Sequence, residues 1–456
     1  MQVDRQTLAD LEIVMPEWRG RDLFAFLDHT QSAGGRARLR SLLVAPLAEA
    51  AQILERQNVL RELSSRLPQF ELRDLGQLVE WVERYLTSTY IELPRSGVAS
   101  IYVGFRYPEM VTRLIEGLEA TAQLLFLSQQ IVASLETLPS KRPELLSISR
   151  RLRGCFEKPA FATLMRVRKN RMRRFNLARL DELIRRNNRD ALIDLVDALH
   201  QLDALQSLAR VSSLNGFVYP SIVDDREPFL SVEGAFHPLL ANPIRTDVRL
   251  ARDVRLIFLT GPNMAGKTTY LKTCGVIALL AHIGMAVPAR SARLSTFDIL
   301  FSVMTTHDSV ARGESFFLAE VRRVGELAQH LAAGRRVLGL ADEMFKGTNV
   351  MDALDATSLV VMSIARCHQG VFIVSSHLIE LAERLRANSS IALMQFDVDM
   401  MDGTPSFTYE LKPGVSDKRL GMFLLRREGV AQTLAAISDG RAASRSDTDS
   451  ARSPLS

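Results

Sequence analysis

FLTGPNMAGKTTYLKTCGVIALLAHIGMAV, residues 258–287, is the stretch on which the reading of this chain turns. Inside it, Gly261-Pro262-Asn263-Met264-Ala265-Gly266-Lys267-Thr268 matches the pattern G-x-x-x-x-G-K-T. The mostly apolar run from Arg255 to Thr260 predicts a buried strand before the match, and Lys267 to Met285 predicts a helix after it. Strand, turn and helix in that order are the context the pattern requires. Its glycines let the backbone curl so that successive N–H groups point inward at a phosphate chain, and the helix N-terminus adds partial positive charge. Lys267 is expected to bridge the β- and γ-phosphates of a nucleotide, and the Thr268 hydroxyl to ligate Mg²⁺. A chance match in a chain of this length has a probability of roughly 1% by residue frequencies, so the nucleotide reading is preferred.

Downstream, short apolar runs alternate with helical stretches. Val337 to Ala341 and Val371 to Ser375 read as buried strands, and Phe316 to Ala333, Asp352 to Arg366 and Leu378 to Arg386 as helices. That alternation predicts a parallel sheet with helical crossovers. Strand 337–341 ends in Asp342-Glu343, which places two carboxylates where ligands bind in such sheets. Two acids at a strand tip are often merely solvated. Beside the 261–268 turn, Asp342 is expected to hold Mg²⁺ through water and Glu343 to polarise the attacking water. Strand 371–375 runs into Ser376-His377, and His377 can reach a γ-phosphate from there. Gly313-Glu314-Ser315-Phe316-Phe317-Leu318-Ala319-Glu320 reads as a loop entering a helix, with Ser315 an ordinary N-cap that can also bind a phosphate.

Upstream, residues 1–210 are rich in Leu, Ala, Arg, Glu and Gln, all good helix formers. Asp22 to Leu43, Leu47 to Leu67, Met110 to Leu138 and Asp190 to Val211 read as helices, which makes this half a helical scaffold. The whole chain has 456 residues, 47% hydrophobic and 24% charged, and is therefore not a disordered polymer. Its longest uncharged apolar run, Val276 to Val287, is too short for a membrane span, which needs about 20 residues. The first ten residues lack the apolar core of a signal peptide. Three scattered cysteines exclude a disulfide scaffold and a cysteine-based zinc site, and fit a reducing cytoplasm. Net charge is only +5, yet Lys141 to Asp190 carries 16 Lys and Arg against 5 Asp and Glu. Arg166, Arg168, Lys169, Arg171, Arg173 and Arg174 fall within nine residues. Such a run is either a solvated helix face or a grip on nucleic-acid phosphates.

Together these residues resemble the MutS family of DNA mismatch repair ATPases, relatives of the ABC-type ATPases. The likeness is dense over Phe258 to Val287, Asp308 to Glu320, Ala341 to Leu354 (ADEMFKGTNVMDAL) and Ser376-His377. Phe236-His237-Pro238 is similar to the family's Arg-His-Pro entry to its ATPase domain, and Pro413-Gly414-Val415-Ser416 with Gly421 to its closing segment. Leu11-Glu12-Ile13, the stretch from Asp22 to Leu63, and Gln201 to Ala209 resemble the family's core and lever domain. Ala265 stands where Gly is usual, Thr268 where Ser is, Phe316 where Thr is, and Ala353 where Gly is.

The resemblance implies an α+β multidomain protein: an all-α core and lever domain over 1–211 with the clamp reduced or absent, then an ABC-like P-loop α/β ATPase domain over 212–432; the tail over 433–456, Ser/Arg/Asp-rich from Ser438 to Ser456 with almost no large apolar residue, is expected to be disordered. It implies ATP and Mg²⁺ as cofactors, ATP held by Gly261, Pro262, Asn263, Met264, Ala265, Gly266, Lys267, Thr268 and Thr269, and the ion by Thr268 and Asp342. Glu343 and His377 would be catalytic. Two ATPase domains would pack head to tail in a homodimer, with Ser315 reaching the partner's γ-phosphate. The family's adenine pocket maps loosely onto Ala241-Asn242-Pro243-Ile244. No Phe-x-Glu, the family's mismatch wedge, occurs in the chain. The expectation is an ATP-dependent, cytoplasmic DNA-binding protein acting on DNA structures through Arg166 to Arg174. The alternative is a nucleotide-switched interaction protein that does not bind DNA.

Overall fold

The computed structural model describes residues 1–15, 22–65, 74–88, 105–138, 141–166, 177–304, 316–401, 404–416 and 425–438. Eleven strands are assigned among them: β1 Gln2–Val3, β2 Ser221–Val223, β3 Leu230–Ala235, β4 Thr246–Leu250, β5 Leu256–Thr260, β6 Ser291–Ser295, β7 Ile299–Val303, β8 Val337–Asp342, β9 Gly370–Ser375, β10 Ile391–Met401 and β11 Thr404–Pro413. The helices of the first half are α1 Arg5–Asp10, α2 Leu23–Leu27, α3 Ala33–Val44, α4 Ala50–Ser65, α5 Leu75–Thr87, α6 Pro108–Glu136, α7 Pro143–Phe156, α8 Pro159–Arg166, α9 Leu177–Asp181 (running on as a π-helical turn, Glu182–Arg186) and α10 Arg189–Leu214. Those of the second half are α11 Lys267–His282, α12 Phe316–Ala332, α13 Val350–Ile364, α14 Ile379–Leu385 and α15 Val430–Ser438. No described helix is long and apolar enough to cross a membrane.

The larger sheet runs β1-β7-β8-β9-β5-β10-β11. Its pairs are parallel except β10 with β11. Its central strands are apolar along their whole length because both faces are covered. Side chains alternate between two cores, as strand geometry dictates. Ile257, Leu259, Leu338, Leu340, Val371 and Ile373 face one core, and Leu256, Phe258, Val337, Phe372 and Val374 the other. The second core is closed by α12, α13 and α14 through Leu327, Val361 and Leu381. The first is closed by α11, and behind it by the helical half. A second sheet, β2-β6-β3-β4, flanks this body.

Helix α11 explains the longest apolar run in the chain. Its residues from Cys274 to Ala281 are all buried, because a helix lodged between a sheet and a helical bundle has no polar face. Each Leu or Ile so buried contributes roughly 1.5–3 kcal/mol. The bundle meets its end directly. Leu47 N–H donates to His282 O at 2.9 Å, His282 Nδ1 donates to Leu47 O at 2.8 Å, and Phe297 N–H donates to His282 Nε2 at 3.1 Å. Burial pushes the His282 imidazole down to about 4.

The structure differs from the expected boundaries in three places. Residues 1–10, expected with the helical half, join the second half instead. Gln2 and Val3 pair in parallel with Ile299 and Leu300 at the sheet edge. Arg323 of α12 holds the segment, donating to Ser302 O at 2.9 Å, to the Asp4 carboxylate at 2.9 Å and to Thr7 Oγ1 at 3.0 Å. Its guanidinium lies 3.7 Å from the Phe301 ring centroid. Further along, the helix expected over Asp22 to Leu43 is broken between α2 and α3. Buried Asp203 of α10 accepts from Gln31 N–H and Ser32 N–H at 2.9 Å each, and from Ser32 Oγ at 2.7 Å. Those N–H groups are lost to helix continuation, and Ser32 caps α3 through Gly35 N–H. Finally, α15 runs to Ser438, into the stretch expected to be disordered from 433 on; its sequence VAQTLAAIS is apolar and helix-forming.

Candidate functional site

The 261–268 turn joins the C-terminal end of β5 to the first residue of α11. Gly261 has φ 143° and Gly266 φ 108°, and Met264 between them has φ 69°. A Cβ on Gly261 would come within 2.9 Å of Phe396 O, so only glycine fits there. Met264 projects outward and is 72% exposed.

Lys267 is buried at the N-terminus of α11, and its Nζ donates to Gly261 O at 2.7 Å and to Pro262 O at 3.2 Å. Burial pushes its ammonium below the ordinary lysine value, against the opposing charges of Glu343 and Asp342. Glu343 Oε1 lies 3.8 Å away. Thr268 Oγ1 donates to Asp342 Oδ2 at 2.6 Å, and Ser375 Oγ makes a short hydrogen bond to Asp342 Oδ1. The first turn of α11 and the end of β9 therefore both meet the carboxylate at the end of β8. Mg²⁺ takes oxygen ligands, one or two carboxylates with phosphate oxygens and waters making up the rest. The Thr268 hydroxyl and the Asp342 carboxylate fit such an ion. Among the described residues no group of three or more His, Cys, Asp and Glu side chains is placed to hold a metal unaided.

Glu343 sits one residue past β8 in a left-handed conformation, φ 54°. Its N–H donates to Ser375 O at 3.0 Å. Its Oε2 lies 2.9 Å from Lys346 Nζ and 3.8 Å from His377 Nδ1. Burial pushes the Glu343 carboxyl up, but the hydrogen bond and charge of Lys346, with the charges of Lys267 and His377, outweigh it and hold the group below its usual value. Glu343 is thus a carboxylate at neutral pH, able to accept a proton. His377 is exposed and stands at the rim.

These groups open on a cavity of about 510 Å³. Pro262, Asn263, Met264, Gly266, Lys267, Thr268, Thr269 and Glu343 line it. The rest of its wall is largely apolar and aromatic, from Phe236, Ile244, Tyr270, Phe396 and Tyr409, with Ala241 and Asn242, and the Phe396 and Tyr409 rings stand beside Gly266. His237 lines it too; its Nε2 is buried with no described hydrogen-bond partner, and burial pushes its imidazole to about 4. The loosely mapped stretch 241–244 therefore lies on the same cavity as the turn.

The structure brings together Gly261, Pro262, Asn263, Met264, Ala265, Gly266, Lys267, Thr268, Thr269, Asp342, Glu343 and His377. Ser315 lies outside the described residues, as do Arg168, Lys169, Arg171, Arg173 and Arg174. Arg166 is exposed and ends α8, far along the chain from the cavity. Sequence reasoning missed four participants: Ser375 as partner of Asp342, Lys346 as partner of Glu343, and Phe396 and Tyr409 as cavity walls. Lys346 was accessible, three residues after Glu343. Phe396 and Tyr409 carried no local signal, since the sheet alone brings β10 and β11 beside the turn.

Two family models match the chain. Residues 257–441 match MutS domain V and residues 6–209 match MutS domain III. The DNA mismatch repair protein MutS of Desulfovibrio desulfuricans is 32% identical over 252 residues, 54% of this chain and 27% of that protein. The DNA mismatch repair protein MSH3 of Phaeosphaeria nodorum is 32% identical over 245 residues, 52% of this chain and 22% of that one. The MutS protein of Thermotoga petrophila is 24% identical over 514 aligned residues, covering 94% of this chain and 64% of its own length. The chain thus spans less than two thirds of each of these relatives.

Proposed function

The chain belongs to the MutS family, and from that premise we propose that it is an ATPase of DNA mismatch repair or recombination, in which ATP hydrolysis at the cavity drives the helical half. The observation that carries this reading is the convergence of Lys267, Thr268, Asp342 and Glu343, three of which, Lys267, Thr268 and Glu343, line one cavity together with Phe236, Ile244, Phe396 and Tyr409. The adenine would lie against Phe236 and Tyr409, and the triphosphate would run over the 261–268 turn. There Lys267 would exchange the carbonyls of Gly261 and Pro262 for phosphate oxygens, which bind an ammonium more strongly because they are charged. Thr268 and Asp342 would hold Mg²⁺, which supplies countercharge to the phosphates. Glu343 would take a proton from the attacking water, and His377 at the rim would contact the γ-phosphate.

In this reading residues 1–211 act as core and lever, and 212–432 as an ABC-like ATPase domain, with β1 and α1 as an exchange between them. The continuous core from the bundle through α11 to the sheet is a rigid path by which a change at the turn reaches the levers. A second copy would complete the nucleotide site through Ser315, so the working state is a homodimer. Calorimetry of the purified chain with ATP and magnesium tests the binding step: heat that disappears on adding a chelator is expected, and no heat at all would sink the reading.

DNA is the proposed macromolecular partner, gripped by its phosphates rather than read at mismatched bases. The support is the basic run Arg166, Arg168, Lys169, Arg171, Arg173 and Arg174 and the family. Reversing Arg168, Arg171 and Arg173 to Glu should weaken duplex or branched-DNA binding by at least about 10²-fold and flatten its salt dependence, because each lost phosphate contact removes a released counterion. Gel shifts over a panel of DNA shapes, with ATP, ADP and no nucleotide, give the answer. Unchanged binding in the triple variant would remove these arginines from the interface. No binding by the parent chain would favour a nucleotide-switched protein that presents its levers to another protein.

A further inference from the structure

Glu320 stands near the start of α12 and is 4% exposed. Its Oε2 is buried with no hydrogen-bond partner among the described residues. The backbone N–H groups of Phe345, Lys346 and Gly347 are turned toward its carboxylate. They belong to the turn that follows Glu343. That turn holds two non-glycine residues in the left-handed region, Glu343 at φ 54° and Phe345 at φ 62°. Such a conformation persists only where its surroundings over-determine it.

Helix α12 supplies those surroundings. The Phe317 and Phe345 rings lie 5.8 Å apart between centroids. Gly347 approaches the start of α12 so closely that a Cβ would come within 2.8 Å of the Phe317 backbone nitrogen. Lys346 links the two acids: its N–H faces Glu320, and its ammonium is 2.9 Å from Glu343 Oε2. One helical turn on, Arg323 anchors α12 to Ser302, Asp4 and Thr7. The helix that presents Glu320 is therefore itself fixed. A buried carboxylate is costly unless donors meet it, and these N–H groups are the donors at hand.

We propose that Glu320 is a positioning residue for ATP hydrolysis: its buried carboxylate holds the 345–347 turn, and that turn keeps Glu343 in the conformation that aims its carboxylate at the attacking water. The proposal rests on the reading of Glu343 as the group that activates water. Glu320 does not line the cavity, so its loss acts on the chemical step and leaves nucleotide affinity alone.

The test measures single-turnover hydrolysis and ATP affinity on the full chain for wild type, Glu320→Ala, Glu320→Gln and Glu343→Gln. Glu320→Ala should lower the hydrolysis rate by about 10²-fold, the scale of a misplaced catalytic group. Its ATP Kd should stay within about threefold of wild type, since only the transition-state interaction is lost. Glu320→Gln keeps a carbonyl oxygen as acceptor and should recover at least about tenfold of that rate. If Glu320→Ala does not fold, Glu320→Asp replaces it: the charge is kept, the reach is not, and it should turn over more slowly than the Gln variant. Wild-type rates in the Ala or Asp variant would overturn the proposal, and so would equal impairment of Gln and Ala or a parallel loss of affinity. Failure of the underlying reading looks different. A wild-type chain that neither binds nor hydrolyses ATP, or a Glu343→Gln variant at full speed, would remove the premise before Glu320 is reached.

Discussion

Lys267→Ala is expected to abolish ATP binding while leaving the fold intact. The ammonium lies at the N-terminus of α11, held by Gly261 O and Pro262 O, and is the lysine of the G-x-x-x-x-G-K-T turn. Two charge-assisted hydrogen bonds to phosphate, at about 1.5–3 kcal/mol each, correspond to a rise in Kd of roughly 10²–10⁴-fold. Calorimetry with ATP and magnesium reads this directly, and wild-type heat in the variant would refute the assignment of the turn. Stability should move the other way. Burial pushes the Lys267 pKa below its unfolded value, so wherever the pH lies beneath both values the folded state carries the full cost of the buried charge. That cost shrinks as pH rises through the window between the folded and unfolded pKa values. Removing the ammonium relieves it, and the variant should melt no lower than wild type at pH 7. A melting temperature several degrees lower would mean that the bonds to Gly261 and Pro262 stabilise the turn more than burial penalises the lysine.

The second large effect is separation of binding from hydrolysis by Glu343→Gln. Glutamine keeps the size, the N–H bond to Ser375 O and the left-handed backbone, but it cannot accept the water's proton. General-base removal costs about 10²–10⁴-fold in rate, and ATP affinity should be kept. In the wild type the Glu343 carboxyl is held below its usual value by Lys346, Lys267 and His377 against the opposing effect of burial. Hydrolysis should therefore stay on a plateau through neutral pH and fall only as pH drops through that lowered value, which the Gln variant cannot show. Rapid-quench measurement of a single turnover separates the steps. With ATP and magnesium, light scattering of the variant should report a trapped dimer. A persistent monomer would count heavily against a shared site, and normal turnover would show that another group activates the water.

How much of this was legible beforehand follows from the range of the forces involved. The strand–turn–helix around 261–268 was readable because its signals are local: an apolar run, glycines where the backbone must curl, and a proline-free stretch rich in Leu, Ala and Ile after it. β8 and β9 were readable for the same reason, and with them Asp342, Glu343 and His377, whose placement at strand ends is a matter of counting along the chain. The long helices α6 and α10 announced themselves by period and length. The two-residue strand β1 did not, because two residues carry no periodicity; only β7, nearly 300 residues on, makes Gln2 and Val3 a strand. The break before α3 was hidden likewise, since the carboxylate that takes its N–H groups belongs to Asp203.

The site divides along the same line. Residue types and their spacing singled out the groups proposed for the phosphate chemistry, because backbone curvature, helix polarity and strand termination are consequences of neighbouring residues. The tertiary structure alone decided which groups stand beside them: Ser375 on Asp342, Lys346 on Glu343, Phe396 and Tyr409 against the 261–268 turn, Glu320 against the 345–347 turn. Each of these pairings is a choice among many chemically equivalent partners in the chain. A serine, a lysine or an aromatic ring becomes a partner through proximity, and proximity is set by the packing of the sheet and its covering helices against one another.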